Sequence, residues 1–169
     1  GQSGPMSYAG SGTNALDRGV EALAYAWAAM SDVPEEALWE RRFGSATIRL
    51  RKRYRLVPRG VAVCFACATF PTWNAYPAML ASLATGNAVI LKPHPTAILP
   101  MAIAVRTCRE VLVDAGFPPD LVTLCVDSAT EPVGKLLVRH PQTAIVDFTG
   151  SARFGAWVEE NAWPALCYS

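Results

Sequence analysis

Apolar and polar positions change their spacing along the chain, and each spacing predicts a different element. Between residues 16 and 30 the apolar side chains recur every three or four positions, which predicts an amphipathic helix with Thr13 or Asn14 as its N-cap. Residues 31–42 are mostly polar and contain a proline, so we expect a loop or a short helical turn. From Ala46 to Leu56, apolar and basic residues alternate, which indicates a half-buried strand or arm.

After Gly60 the pattern changes to short apolar strands that alternate with longer helical segments. Strands are predicted at 61–67, 88–91, 121–126 and 143–148, with a further one opening at Cys167, and helices at 72–85, 96–115, 131–140 and 151–162. This alternation is typical of an α/β fold with a doubly wound parallel sheet. We therefore divide the chain into an N-terminal helix and basic strand arm (1–57) and an α/β domain (58–169).

Composition narrows the class of protein. The chain has 169 residues, of which 51% are hydrophobic and 17% charged, with a formal net charge of +1. A chain so apolar is not disordered, and its near-zero charge gives no general attraction to nucleic acid or to an acidic membrane. No apolar stretch reaches the length of a membrane span, and no signal peptide is recognisable. The first methionine is Met6, so we expect a chain that begins within a longer protein or has been trimmed.

The five cysteines are irregularly spaced, which favours a reduced, cytoplasmic protein over a disulfide scaffold. Cys64 and Cys67 form a C-x-x-C pair within the first predicted strand of the sheet. Three-residue spacing on a strand directs the two thiols to opposite faces, and no second pair accompanies them. We therefore expect structural cysteines and no metal site.

Three segments follow predicted strands at their carboxyl ends, where doubly wound sheets bind ligands: Ala68–Trp73, Lys92–Thr96 and Thr149–Gly155. In the third segment, Gly150 would allow a tight turn and Gly155 a close approach of the following helix. The first amides of that helix, beside Ser151, would then face a phosphate. On this motif alone, an ordinary strand–helix turn is the favoured interpretation.

The second segment reads Lys92-Pro93-His94-Pro95. The Lys92 ammonium could hold a ribose or a phosphate, and the prolines would keep the loop rigid. The alternative is a solvated lysine before a proline stop. The arginines between residues 49 and 55 fall on one strand face without aromatic partners, so we interpret them as a solvated face or subunit contact, not as a nucleic-acid site.

In combination, these segments resemble the aldehyde dehydrogenase superfamily. The resemblance rests on four strings in order: Pro58-Arg59-Gly60-Val61, Thr69-Phe70-Pro71, the run from Ala84 to Pro93 (ATGNAVILKP), and Asp147-Phe148-Thr149-Gly150-Ser151. The run TFPTWNAYPAMLASLATGNAVILKPHP further resembles the phenylacetate-degradation branch. The resemblance implies that residues 58–169 are a dinucleotide-binding domain, incomplete at its C-terminus. Lys92, His94, Pro95, Thr149, Gly150, Ser151 and Gly155 would contact the coenzyme.

The family mechanism that the resemblance implies is covalent. A cysteine thiolate attacks the aldehyde, an asparagine and a backbone amide hold the oxyanion, and a glutamate activates water. In the family, the asparagine precedes a Phe-Pro pair. Here Thr69 occupies that position, twenty-three residues before Lys92. Its hydroxyl can donate one hydrogen bond. Asn74, five residues later, is the weaker alternative donor.

By the family pattern, the nucleophilic cysteine and the basic glutamate would follow Ser169, and Cys167 lies in the wrong context to be the nucleophile. We therefore expect this chain alone to be inactive as an enzyme. The rival hypothesis from another class is a non-catalytic nucleotide-binding or assembly module.

The resemblance also gives expectations for ligands. Many NAD-preferring members have a glutamate three residues after the lysine, where this chain has Pro95. With no carboxylate to oppose a 2′-phosphate, NADP is slightly favoured over NAD. The substrate would be a small-molecule aldehyde, a semialdehyde of aromatic-acid breakdown, with a coenzyme A thioester as one form. The intact protein would be a homo-oligomer.

Overall fold

The computed structural model describes residues 2–169 as a five-stranded sheet with helices on both faces, together with a separate two-stranded hairpin. The helices are α1 (Gly4–Tyr8), α2 (Asn14–Ser31), α3 (Pro71–Ala84), α4 (Ile98–Asp114), α5 (Gly134–Arg139) and α6 (Ala152–Asn161). The strands are β1 (Glu36–Phe43), β2 (Ala46–Arg53), β3 (Val61–Ala66), β4 (Ala88–Pro93), β5 (Val122–Leu124), β6 (Thr143–Phe148) and β7 (Leu166–Tyr168).

The large sheet has the strand order β5-β4-β3-β6-β7, and every neighbouring pair in it is parallel. The chain builds outward from β3 to β5, returns to the centre, and builds outward again on the other side through β6 and β7. The predicted doubly wound parallel α/β class is therefore confirmed. The reversal lies between β3 and β6, which is where such sheets open a crevice at their carboxyl edge.

Each face of the sheet has its own hydrophobic core. On one side, α3 and α4 cover the central strands, with Met79, Leu91 and Met101 almost completely buried. On the other side, Val63, Val146 and Val158 form the centre of the core beneath α5 and α6. Strands covered on both faces need near-continuous apolar sequence, which explains the uninterrupted run in β3.

The Gly86-Asn87 pair ends α3 and anchors the next turn. Gly86 has a φ of +83°, a left-handed conformation that favours glycine. The side-chain oxygen of Asn87, which is buried, accepts hydrogen bonds from the backbone N–H groups of Arg59 at 2.8 Å and Gly60 at 3.1 Å. One side chain thereby ties the entrance of β3 to the entrance of β4.

The N-terminal helix starts earlier than the sequence predicted. Helical backbone runs from Gly4 through a π-helical segment (Ala9–Thr13) into α2, so neither Thr13 nor Asn14 caps a free helix end. Ser3 is the cap instead, and its hydroxyl accepts a hydrogen bond from the Met6 amide at 3.4 Å. A proline in the first helical turn favours that start.

Helix α2 and the π-helical segment before it pack against α3, and both polar and charged groups contribute to the contact. The Arg18 guanidinium lies 4.0 Å from the centre of the Trp73 ring. The Thr72 hydroxyl donates a hydrogen bond of 2.6 Å to the Ser11 carbonyl oxygen.

No helix in the described part of the chain is long and apolar enough to cross a membrane.

The prediction of a loop or short helical turn at residues 31–42 is wrong, because β1 begins at Glu36. It pairs antiparallel with β2 in a hairpin whose turn contains Gly44 at a φ of +62°. The half-buried character expected of β2 is also wrong, since all eight of its residues are exposed. Its arginines face carboxylates of β1: Arg49 lies 2.6 Å from Glu40.

Two boundaries near the carboxyl edge differ from the expectation. Helix α5 begins at Gly134, so Pro132 lies before the helix and not in its first turn. Strand β3 ends at Ala66, so Cys67 lies in the loop that follows it. The expected strand geometry of the C-x-x-C pair is therefore wrong, and only Cys64 is fully buried.

Candidate nucleotide site

A cleft of about 720 Å³ opens at the carboxyl edge of the sheet, beside the reversal between β3 and β6. This volume lies within the range of ~300–1,000 Å³ that is usual for small-molecule sites. It is lined by Phe65, Ala66, Cys67, Ala68, Thr69, Lys92, Pro93, His94, Asp127, Pro132, Gly134, Lys135, Phe148, Thr149, Gly150, Ser151 and Phe154.

The turn between β6 and α6 forms one end of this cleft. Ser151 is the N-cap of α6, and its hydroxyl accepts a hydrogen bond from the Phe154 amide at 3.4 Å. The first backbone N–H groups of a helix have no partner within it, and here they begin at Ala152. This end of the cleft therefore offers donors and the positive end of a helix dipole.

Gly150 is required in this turn by contact, not by its backbone angle. Its φ is outside the left-handed region, so the tight-turn explanation from sequence is wrong. A Cβ at this position would lie 2.5 Å from Cζ of the Phe148 ring. At Gly155 a Cβ would meet only ordinary contacts, the nearest at 3.5 Å, so the expected need for close helix approach is not observed there.

An ion pair forms the opposite end of the cleft. The Lys92 ammonium lies 2.5 Å from Oδ1 of Asp127 and donates a hydrogen bond to the Pro93 carbonyl at 3.0 Å. The other carboxylate oxygen of Asp127 accepts a hydrogen bond from the Val133 amide at 3.0 Å. The side chains are only 9% and 3% exposed. The solvated lysine of the alternative interpretation is therefore excluded.

The loop after β4 orients His94 toward the same end. Its amide continues the sheet by donating to the Ala66 carbonyl at 3.0 Å, and its Nδ1 lies 2.8 Å from the Thr96 hydroxyl. The Thr96 amide also donates to this Nδ1, at 3.2 Å. The ring is thus held from one side, and His94 lines the cleft whereas Pro95 does not.

Thr69, Cys67 and Asn74 lie together after β3. The Cys67 thiol lies 2.7 Å from the side-chain oxygen of Asn74 and 3.5 Å from the Thr69 hydroxyl. Thr69 is exposed on the cleft wall, and Asn74 does not line the cleft. Because the Asn74 oxygen faces the thiol, its amide nitrogen is the atom left to donate a hydrogen bond elsewhere.

Aromatic rings form the apolar wall. Phe65, Phe148 and Phe154 meet edge to face with ring centres 5.2 to 6.2 Å apart. Trp157 stacks on Phe154, and the Lys135 ammonium lies 5.0 Å from its ring centre. Packing of these rings against one another holds the β6–α6 turn in position.

The structure thus gathers six of the nine candidate residues on one cleft: Thr69, Lys92, His94, Thr149, Gly150 and Ser151. Gly155 instead lines a smaller depression on the other side of the same turn. Sequence reasoning missed Asp127 and Lys135. Asp127 directly follows the strand predicted to end at Val126, so the rule used for the other three segments would have found it.

A second depression, of about 740 Å³, runs along the outer side of α4. Three of the four charged residues that line it are in ion pairs, since Arg109 lies 3.0 Å from Asp120 and Arg106 lies 3.8 Å from Glu110. Among residues 2–169, no three His, Cys, Asp or Glu side chains are gathered in a way that would hold a metal ion. The cleft at the carboxyl edge is therefore the stronger candidate site.

The chemistry of that cleft fits a dinucleotide. A diphosphate needs N–H donors, which the start of α6 supplies, and ribose hydroxyls need both a donor and an acceptor, which Lys92 and Asp127 supply. Apolar walls between the two ends suit the flat faces of the bases.

Comparison with known proteins identifies the family. The sequence profile described as "Aldehyde dehydrogenase family" matches residues 7–166. The chain belongs to the aldehyde dehydrogenase family. A solved NAD-dependent aldehyde dehydrogenase from Burkholderia multivorans is 46% identical, with a TM-score of 0.90 over 96% of this chain and 30% of that chain.

Two further relatives bear on substrate and coenzyme. A protein named 1-pyrroline-5-carboxylate dehydrogenase from Bacillus licheniformis is 38% identical over 117 residues, which cover 66% of this chain and 21% of that protein. A glyceraldehyde-3-phosphate dehydrogenase from Methanocaldococcus jannaschii, solved with NADP, has a TM-score of 0.62 over 90% of this chain and 32% of that chain; at 18% identity it shows the fold alone. The chain thus spans about a fifth of the length of the curated relatives it matches.

These relatives support the family but not the phenylacetate branch. The names of the curated relatives refer to 1-pyrroline-5-carboxylate, and none of these names refers to phenylacetate. Solved neighbours include complexes with NAD and with NADP, so the choice between the two coenzymes is not decided by them. The premise behind the expected NADP preference is wrong, however, because a carboxylate does stand beside Lys92.

Proposed function

We propose that this chain holds the nicotinamide dinucleotide of an NAD(P)-dependent aldehyde dehydrogenase that oxidises an aldehyde to the acid. The observation that carries the proposal is the cleft itself. In a chain of this family, a buried Lys92 and the start of α6 lie on the two sides of the β3–β6 reversal. Open α/β sheets bind nucleotides at this place.

In this proposal, residues at different positions in the cleft bind different parts of the coenzyme and substrate. The first amides of α6, beside Ser151, bind the diphosphate, and Lys92 with His94 binds the sugar of the adenosine end. A bound nicotinamide would supply the hydride acceptor for oxidation of the aldehyde carbon. The Thr69 hydroxyl donates one hydrogen bond to the oxygen of the reacting carbonyl. Asn74, with its oxygen engaged by Cys67, is the alternative donor.

The aldehyde itself is the finer part of the proposal. The sequence favours a semialdehyde of aromatic-acid breakdown, whereas the curated relatives are named for 1-pyrroline-5-carboxylate. Turnover of the full-length protein with an aromatic-ring-derived semialdehyde and with 1-pyrroline-5-carboxylate, each followed by NAD(P)H absorbance, separates the two. A full-length protein that binds coenzyme but oxidises no aldehyde would instead favour the non-catalytic nucleotide-binding module.

The binding site is tested with a charge placed at the N-cap of α6. Asp and Asn are both good caps, so Ser151→Asp and Ser151→Asn should both preserve the helix. The added carboxylate repels a diphosphate, so we expect NAD(P) to bind more than about tenfold more weakly to Ser151→Asp than to Ser151→Asn in calorimetric titrations of the full-length protein. Equal affinities would place the diphosphate elsewhere and refute the proposal.

A further inference from the structure

The Lys92–Asp127 pair has features that a purely structural ion pair does not need. It stands on the wall of a cleft, and both side chains are almost fully buried. Lys92 is on β4, and Asp127 lies in the loop that follows the neighbouring strand β5. Burying two charges carries a desolvation penalty that apolar side chains of the same volume would avoid. A pair kept at such a place is best explained by a ligand that needs both of its charges.

The carboxylate is fixed before any ligand arrives. One oxygen of Asp127 faces the Lys92 ammonium, and the other accepts the Val133 amide in the segment that leads into α5. Each carboxylate oxygen has two lone pairs, so both retain capacity to accept a further hydrogen bond. The ammonium has three donors, of which Asp127 and the Pro93 carbonyl engage two.

The position of the pair suggests which part of a nucleotide it meets. Lys92 is on β4, and the start of α6 follows β6, with β3 between them. Strands lie ~4.8 Å apart, so the two ends of the cleft are on the order of 10 Å apart. A diphosphate at α6 would then leave the adjoining ribose within reach of Lys92 and Asp127.

We propose that Asp127 selects NAD over NADP by accepting a hydrogen bond from a ribose hydroxyl beside Lys92. This inference rests on the proposed function, because it assumes a dinucleotide in the cleft. An adjacent acceptor and donor match a vicinal diol, in which one hydroxyl donates to the carboxylate while another accepts from the ammonium.

A 2′-phosphate on the ribose would be attracted by the positive groups at this end of the cleft and repelled by Asp127. It would draw Lys92 away from Asp127 and leave a buried carboxylate beside a group of charge about −1.5 to −2. His94 and Lys135 also line the cleft and attract anions. The Lys135 ammonium, however, lies over Trp157 on the α6 side. Asp127 is the group in contact with Lys92, so its repulsion is the larger influence at the sugar.

The test uses two small probes that differ only in the 2′-phosphate: 5′-AMP and adenosine 2′,5′-bisphosphate. In titrations of the full-length wild-type protein, we expect the dissociation constant of the bisphosphate to be at least about tenfold higher than that of 5′-AMP. Equal or tighter binding of the bisphosphate would mean that Lys92 and His94 outweigh Asp127, and would overturn the inference. If neither probe binds, the proposed function fails as well.

Asp127→Asn should reduce the difference between the probes to less than about threefold, mainly because the bisphosphate binds more tightly. Glu131→Gln is the matched control, since it removes one charge from an exposed residue in the same loop that does not line the cleft. An unchanged ratio in Asp127→Asn would assign the selection to another group and refute the inference.

Asp127→Asn leaves Lys92 buried without its counter-charge, which destabilises the fold for reasons unrelated to selection. The double variant Lys92→Met with Asp127→Asn leaves no unpaired charge and is the second test. We expect both probes to bind it more weakly but with nearly equal affinities. A retained preference for 5′-AMP would count against Asp127.

Discussion

Asp147 makes the stability of this chain depend on pH in a direction unusual for a carboxylate. It lies on β6, directly opposite Cys64 on β3 and Tyr168 on β7. Burial raises the pKa of Asp147 to about 6, from an ordinary value of 3.8. Burial is the main cause of the raised pKa of the Cys64 thiol, and the negative charge of Asp147 is the second cause.

The sign follows from proton binding. Because the pKa of Asp147 is higher in the folded chain than in the unfolded chain, the folded state binds more protons at intermediate pH. Its contribution to stability is therefore fully present below pH 3.8 and is lost as the pH rises through about 6. A shift of about two pKa units corresponds to ~3 kcal/mol at neutral pH.

Asp147→Asn removes the ionisation and should therefore raise stability where the wild-type carboxylate is charged. We expect the variant to gain up to ~3 kcal/mol at pH 8, reduced by the penalty for burying an amide, and to approach the wild type near pH 4. Urea-induced unfolding measured from pH 4 to pH 8 reports the difference directly.

Asp17→Asn on α2 is the control, because Asp17 is an exposed carboxylate. Its effect should stay within about 0.5 kcal/mol at every pH. Parallel stability curves for Asp147→Asn and the wild type would show that Asp147 is not penalised by burial, and the argument would then fail.

Two further predictions concern Gly150 in the β6–α6 turn and Asn87 at the opposite edge of the sheet. Gly150→Ala should destabilise the chain by ~1–3 kcal/mol in urea unfolding, because its Cβ would overlap the Phe148 ring, whereas Gly155→Ala should be neutral or slightly stabilising. Equal effects of the two alanines would contradict the contact argument. Asn87→Ala should lower stability by ~2 kcal/mol or more, because two backbone N–H groups lose their acceptor, and Asn87→Asp, which keeps the acceptor oxygen, should recover part of the loss. A loss as large in Asn87→Asp would refute this.

The fold of residues 58–169 was predictable because local signals agreed with one another. The run of β3 is apolar on both faces, and Gly86 marks the end of α3 with a conformation that favours glycine. The hairpin was missed because β1 mixes charged and apolar residues without strict alternation, and nearly all of its residues are exposed. Its signal was Gly44, which separates two segments that could pair in register.

The candidate site was predictable only as far as each strand end could be considered separately. Lys92 and Thr149 lie at the carboxyl ends of strands with clear patterns, so both were placed on the edge correctly. The partner of Lys92 depends on which strand lies beside β4, and that order is decided by packing on both faces of the sheet. Hence Lys92 was found and its contact with Asp127 was not.

The reversal of the chain between β3 and β6 explains how one cleft can offer two kinds of hydrogen-bonding group. Helices α3 and α4 leave on one face and α5 and α6 on the other, so the loops at the carboxyl edge diverge and leave a cleft between them. The α6 side of the cleft offers backbone donors, whose charge does not depend on side-chain identity. The β4–β5 side offers side chains, which can change the local charge without altering the backbone. In the proposed binding mode, the diphosphate and the ribose therefore lie on opposite sides of the reversal. A substitution at Asp127 should then alter discrimination at the ribose while affinity for the diphosphate is preserved.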